Sequence, residues 1–279
     1  MKNKLNICFV AMLAVIVLAS CQKMERPELG DIIEDSNPPN SPLKFYAAMD
    51  GTGSDQLRNA VDSIRANFPV TNTMTSVTGI SGKGQQGGDD KAIVYPNSNK
   101  IPLATSLTIA FWMKNTDQGR TEFVFSLVDD KYGWHHSAIF LLLEHGNTSA
   151  TTLKLGLMDQ WLEWPDGNKF PRPLLDGNWH HLAFVYDQTS STMTYYFDGA
   201  AVTPAPAGAT NVNNGGNPRG PLDLTSVKKL ILGGWNKHGG AQGPTDDWIK
   251  NYTGSLDQFR LYSTALTASE IQALYTARQ

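Results

Sequence analysis

The stretch GNWHHLAFVYDQTSSTMTYYFDGAAV (177–202) decides the architecture. Two alternating runs flank QTSS (188–191). In the first, Trp179, His181, Ala183 and Val185 share one face, and His180, Leu182, Phe184 and Tyr186 share the other. In the second, Met193, Tyr195 and Phe197 alternate with Thr194, Tyr196 and Asp198. Side chains on an extended chain alternate with a period of two, so both runs predict strands joined by a hairpin turn. Asp198-Gly199 supplies the next tight turn. The adjacent histidines then face opposite sides of the sheet and cannot chelate one ion together. Buried imidazoles hydrogen-bonded to backbone are the expected state.

The same period recurs on both sides. LKFYAAMD (43–50) alternates. SLTIAFWMK (106–114) puts Leu107, Ile109, Phe111 and Met113 on one face. TEFVFSLVD, SAIFLLLEH and TTLKLGLMD follow as strands, and KKLILGGW and GSLDQFRLY are the last. Two segments differ. In DQLRNAVDSIRANFP (55–69), Leu57, Val61, Ile64 and Phe68 fall at helical spacing before Pro69, which predicts a small inserted helix near 55–68. In LTASEIQALYTARQ, Thr267 and Glu270 form a capping box ahead of Ile271, Leu274 and Tyr275, which predicts a short C-terminal helix. Many short strands with helices only at the margins predict an all-β, antiparallel jelly-roll sandwich, one domain over 43–279.

These motifs together resemble the laminin G-like, concanavalin A-like lectin/glucanase jelly rolls. WHHLAFVYD…YYFDG resembles that family's W-H core, and LILGGW…GSLDQFRLYSTALTASEIQALY its closing strand and helix. FYAAMDGTGSD, GISGKGQQ and SLTIAFWMK match its opening strand, Gly turn and first long strand. The resemblance implies the fold. For function it leaves lectins, adhesion modules and glycosidases open.

The N-terminus is MKNKLNICFVAMLAVIVLASC. Lys2 and Lys4 precede an apolar run from Ile7 to Ala19, shorter than the roughly 20 residues that span a bilayer, so residues 1–20 read as a signal peptide. Leu18-Ala19-Ser20-Cys21 resembles a bacterial lipobox, which implies cleavage before Cys21 and lipidation of its thiol. Residues 21–42 are acidic, then rich in Pro, Asn and Ser, and read as a flexible tether. Acids close behind the lipidated Cys resemble the surface-export signal of Bacteroidetes lipoproteins. The expected location is the cell envelope, on the outer-membrane surface, with the lipid as the only membrane contact. Loss of Lys2 and Lys4 moves the formal charge from −3 to −5 (21 basic against 26 acidic residues), and no basic block remains, which argues against nucleic acid. Cys8 leaves with the signal, so the mature chain keeps neither a free thiol nor a disulfide.

Trp112 and Trp179 sit inside strands and are assigned to the core. The other five of the seven Trp fall in loops or at strand ends, which marks a binding surface, because exposed large aromatics need a reason. DDKYGWHHS (129–137) carries Tyr132, Trp134, His135 and His136. MDQWLEWPDGNKFPRP (158–173) carries Trp161 and Trp164 beside Glu163 and Asp166. GGWNKHGG and DDWIKNY add Trp235, His238 and Trp248. Aromatic faces stack on sugar C–H groups while imidazoles and carboxylates take hydroxyls, so these nine aromatic and imidazole residues form the expected ligand-binding set.

Laminarinase-type enzymes of this superfold carry an E-x-D-x-E strand motif. No such run exists here, Glu122 and Glu144 are isolated, and neither Ser–His–Asp nor zinc spacing occurs. The balance leans away from an enzyme. DGTGSD (50–55) is rich in oxygen ligands, and alternation puts Asp257 on the inward face with Phe259 and Leu261. A carboxylate there needs a partner. In such jelly rolls the first and last strands meet, so Asp50 or Asp55 could share a calcium ion with Asp257. Backbone amides or a Lys or Arg are the alternative partners. The expected function is non-catalytic polysaccharide binding. A surface adhesion or protein-interaction module is the alternative, and a glycosidase the third reading.

Overall fold

The computed structural model describes residues 41–50, 57, 59–61, 74–96, 101–146 and 149–278. The signal, Cys21, most of the tether, Asp55 and most of the helix expected near 55–68 lie outside the described residues. Of that helix's apolar positions, Leu57 and Val61 are described, and both are buried.

Two sheets form a sandwich. The first contains β1 (Leu43–Ala47), β2 (Thr75–Thr78), β3 (Lys83–Gln86), β5 (Leu107–Lys114), β10 (His180–Asp187), β11 (Thr192–Phe197), β12 (Ala200–Ala201) and β17 (Ser255–Tyr262). Their order is β12-β11-β10-β5-β17-β3-β2, and β1 also pairs with β17. The second contains β4 (Ile93–Tyr95), β6 (Glu122–Asp129), β7 (Ser137–Gly146), β8 (Thr151–Leu157), β9 (Gln160–Trp164), β15 (Val227–Leu232) and β16 (Lys250–Asn251). Its order is β4-β15-β6-β7-β8-β9, and β16 pairs with β6 in parallel while the other pairs are antiparallel. A small ribbon of β13 (Asn213–Asn214) and β14 (Asn217–Pro218) lies apart from both.

The hairpin at 180–197 forms as its alternation predicts, with Asp187 opposite Thr192. Asp198 (φ 48°) and Gly199 (φ 80°) make the following turn, where two positive φ angles match the right-handed twist of the flanking strands. Leu107, Ile109, Phe111 and Met113 point between the sheets with Leu182, Phe184 and Tyr186, and meet Val124, Phe125, Leu127, Leu141 and Leu155. Phe259 sits at the centre, stacked on Phe111 at 5.3 Å and edge-on to Phe125 at 5.4 Å.

The C-terminal helix runs Ala268–Ala277. Thr267 Oγ1 accepts from the Glu270 amide (3.3 Å) and the Glu270 carboxylate accepts from the Thr267 amide (2.7 Å), so the capping box is made. The helix covers the outer face of the first sheet: Ile271 is buried against Ala110, Ala183, Val185 and Tyr196, and Tyr275 stacks on Trp112 at 5.5 Å. Trp112 is therefore buried on the outer face rather than between the sheets. Trp179 is only half-buried, with its ring beside Gly84.

One element breaks its alternation. Gln258 adopts φ 50°, and the pairing of β17 with β5 slips between Asp257 and Arg260. This β-bulge inserts one residue and reverses the faces on one side of it. Leu256, Phe259 and Leu261 point inward, while Asp257 pairs with outward-facing Trp112. The expectation that Asp257 shares a face with Phe259 is corrected.

Candidate functional site

The outer face of the second sheet is aromatic. Register sets Phe140 of β7, Gly156 of β8 and Trp161 of β9 in one row. A Cβ on Gly156 would overlap the Phe140 ring, so glycine lets that ring lie across the neighbouring strand. Trp161 meets Phe140 edge-on at 5.1 Å. Trp235 completes a buried floor, stacked on Phe123 at 4.4 Å and tilted against Phe140 at 4.9 Å.

Hydrogen bonds fix this floor. Trp235 Nε1 donates to Ser137 Oγ (2.9 Å), and its backbone N–H donates to His238 Nδ1 (3.0 Å). Buried Asn236 ties the two loops together. Its Oδ1 accepts from Ser126 Oγ (2.7 Å) and Ser137 Oγ (3.0 Å), and its Nδ2 donates to the carbonyls of His136 (2.6 Å) and Gln242 (2.8 Å). A buried amide with its donors and acceptor engaged holds loop geometry firmly.

Three indoles stand around the floor with exposed surface: Trp134 (54%), Trp248 (45%) and Trp161 (36%). Trp134 is edge-on to Trp235 at 5.7 Å, and Trp248 is tilted over Phe123 at 5.8 Å. His135 packs beside Phe140 at 5.5 Å and stacks on half-buried Tyr132 at 6.1 Å. Burial holds the His135 imidazole below its ordinary pKa, so it is neutral near pH 7. His136 turns the chain at φ 48° into β7. Beside the aromatic row, Lys154 pairs with Glu144 at 2.8 Å and lies 3.9 Å from Glu163.

Of the nine residues expected to contact a ligand, the fold gathers Trp134, His135, Trp161, Trp235 and Trp248 around Phe123 and Phe140. Two of the nine need correction as contact residues. Trp164 points between the sheets, fully buried and edge-on to Phe170 (5.2 Å) and Tyr195 (5.4 Å), because it sits an odd number of residues from Trp161 on β9. Trp235 is also fully buried and supports the surface from beneath. His238 is half-buried and held near pKa 4, by desolvation first and then by Lys237. Phe123, Phe140, Gly156, Ser137 and Asn236 were not anticipated. For Phe140 the signal was the unbroken apolar run FLLL (140–143), where a sheet open to water on one side would alternate.

The second histidine pair is structural, but His180 takes two carboxylates in place of the expected backbone groups, and neither ring nitrogen of His181 has a hydrogen-bond partner among the described residues. His180 Nδ1 lies 3.0 Å from Asp198 Oδ2 and Nε2 lies 3.1 Å from Asp176 Oδ1. Burial opposes its charge, but the two carboxylates outweigh burial and raise its pKa. His181 is fully buried on the opposite face beside Trp112, and desolvation, aided by Arg260, depresses it to about 3.

Asp50 and Asp257 meet the Gly79–Gly82 turn between β2 and β3. Asp257 Oδ2 accepts from the Ile80 amide (2.8 Å), and Asp50 Oδ1 accepts from the Lys83 amide (2.6 Å). Gly79 and Gly82 are needed there, because a Cβ would overlap the Asp257 and Asp50 carboxylates respectively. Asp257 is fully buried, desolvation pushes its pKa up to about 7, and its Oδ1 has no hydrogen-bond partner. Among the described residues no three His, Cys, Asp or Glu side chains form a metal-binding group. Calcium also takes backbone oxygens, and an orphaned buried carboxylate oxygen suits a hard cation, so Asp50 and Asp257 fit it chemically.

A family model described as the concanavalin A-like lectin/glucanases superfamily matches residues 86–272. The mouse Sushi, von Willebrand factor type A, EGF and pentraxin domain-containing protein 1 is 24% identical over 184 residues, which cover 62% of this chain and 4% of that protein. Domain 4 of AbnA, a GH43 extracellular arabinanase from Geobacillus stearothermophilus solved with arabinotriose, aligns with TM-score 0.54 at 18% identity over 84% of this chain and 98% of that one. Trypanosoma rangeli sialidase aligns with TM-score 0.53 at 13% identity over 85% of this chain and 33% of the sialidase. Likeness at these identities concerns the fold.

Proposed function

This chain belongs to the concanavalin A-like lectin/glucanase superfamily, and from that premise we propose that it is a non-catalytic polysaccharide-binding lipoprotein. The observation that carries the reading is three exposed indoles on one rigid aromatic floor. Trp134, Trp161 and Trp248 each touch Phe123, Phe140 or Trp235, so each ring is held in place before a ligand arrives. Pre-ordered side chains lose little entropy on binding, and apolar ring faces suit the C–H faces of sugars. In this reading the lipid on Cys21 and the acidic tether present the domain at the outer-membrane surface. Calcium held by Asp50 and Asp257 would lock the β2–β3 turn to the ends of the first and last strands.

Affinity gel electrophoresis against a panel of polysaccharides tests the function. At least one polymer retards the wild type, and Trp134→Ala or Trp161→Ala weakens that retardation by about tenfold or more, as loss of one stacking ring does in well-packed sites. No retardation by any polysaccharide, or retardation unchanged in both variants, overturns the reading. A stoichiometric protein partner captured without sugar would move the face to protein recognition.

A further inference from the structure

A cleft of about 290 Å³ is lined by Asp89, Arg120, Lys237, His238, Ile249 and Lys250 among others, and Trp248 directly precedes its lining residue Ile249 in the chain. It shares residues with the floor. Ile249 packs with Phe123, Phe140 and Trp235, and His238 accepts the Trp235 amide. The cleft's charges are unevenly partnered. Arg120 is committed, 2.8 Å from Asp89 and 3.2 Å from Glu122. Lys237 and Lys250 are half-buried, and among the described residues neither has a carboxylate within 4.0 Å. Among the described residues the Lys237 ammonium donates to backbone, to the Asp246 carbonyl at 2.7 Å and the Thr245 carbonyl at 3.4 Å.

Elsewhere in the domain Lys131, Lys154, Lys169 and Lys228 each meet a carboxylate, while half-buried Lys91 and Lys229 have none within 4.0 Å among the described residues; Lys237 and Lys250 differ from these in lying together in a cleft. Half-buried ammonium groups gain from a nearby anion because desolvation is otherwise uncompensated. Desolvation first, and then the Lys250 charge, lower the Lys237 pKa, and Asp247 and Asp246 offset this only in part. His238 adds no charge, since its pKa near 4 leaves it neutral. Arg120 is shared between Asp89 and Glu122, so Asp89 and Asp90 in the lining and exposed Asp246 and Asp247 beside Lys237 are the opposing charges.

We infer that this cleft receives an anionic substituent, a carboxylate or sulfate, of a polysaccharide whose sugar faces lie on the Trp surface. The inference rests on the glycan-binding reading and narrows it to acidic polymers. Lys237 and Lys250 supply point charges that accept either oxyanion, while the Trp248 ring, joined to the cleft through Ile249 and Phe123, takes the apolar face of a neighbouring sugar.

Affinity electrophoresis with polygalacturonate, dextran sulfate and neutral dextran tests it. At least one acidic polymer is expected to bind about tenfold or more tightly than dextran at low salt, and the preference shrinks as ionic strength rises. The double variant Lys237→Met/Lys250→Met is expected to lose about tenfold on that polymer. Whichever acidic polymer responds separates carboxylate from sulfate. Circular dichroism and melting temperature confirm that the variant is folded; if it is not, Lys237→Gln and Lys250→Gln singly replace it. Equal affinity for dextran, or acidic binding unchanged in the lysine variants, overturns this inference while the Trp variants still test the broader reading. Absence of binding to every polymer overturns both.

Discussion

Gly156 shows how much a single residue decides. Its missing Cβ is the space that the Phe140 ring occupies, and Phe140 in turn supports Trp161. Gly156→Ala should force the ring off its rotamer and cost about 1–3 kcal/mol of stability by urea denaturation, with weaker polysaccharide binding alongside. Unchanged stability would show that Phe140 moves freely, against a rigid floor. The nearby Trp pair makes a related point. Trp161 and Trp164 look alike in sequence, but three residues on a strand put them on opposite faces, so one is a candidate contact and the other is core. That difference becomes readable once the segment is taken as strand β9 rather than loop.

The β10–β11 hairpin is the element whose sequence spoke most plainly. Period-two alternation and a four-residue connection point to the register that forms, and Asp-Gly marks the turn that follows into β12. What alternation did not convey is that Asp198 of the turn reaches back to the start of the hairpin, accepting from the His181 amide at 2.9 Å and pairing with His180. This clasp carries a pH dependence. The His180 pKa is raised in the folded state, so its stabilisation is full below the unfolded value of about 6.5 and is lost as pH rises through the folded value. The stability gap between wild type and His180→Gln, measured by urea denaturation, should therefore shrink from pH 6 to pH 9. A gap that widens over that range would mean that the neutral imidazole supplies the stabilisation. The β17 bulge is the opposite case: nothing in GSLDQFRLY announces a positive φ at Gln258, so the face of Asp257 was misassigned.

At the scale of the whole molecule, Asp50 lies just past β1, Asp257 lies in β17, and both hold the turn between β2 and β3. A calcium ion there would join segments more than 170 residues apart in sequence, as the Ile80–Asp257 contact already does. Calcium in hundredfold excess over its Kd should stabilise the protein by about 2.7 kcal/mol, read as a rise in melting temperature. Asp257→Asn should abolish the rise while keeping the side-chain shape; an equal rise in the variant would remove Asp257 from the site. The sequence by itself determined the long strands, the sandwich, the capped final helix and the surplus of Trp outside the central strands, because alternation, turn dipeptides and capping boxes are local properties of the chain. Only the tertiary structure decided which Trp face water, that Trp235 is a floor rather than a contact, and that Lys237 and Lys250 share a cleft. Those outcomes depend on sheet register and on loops tied together by Asn236, both of them contacts between residues distant in sequence.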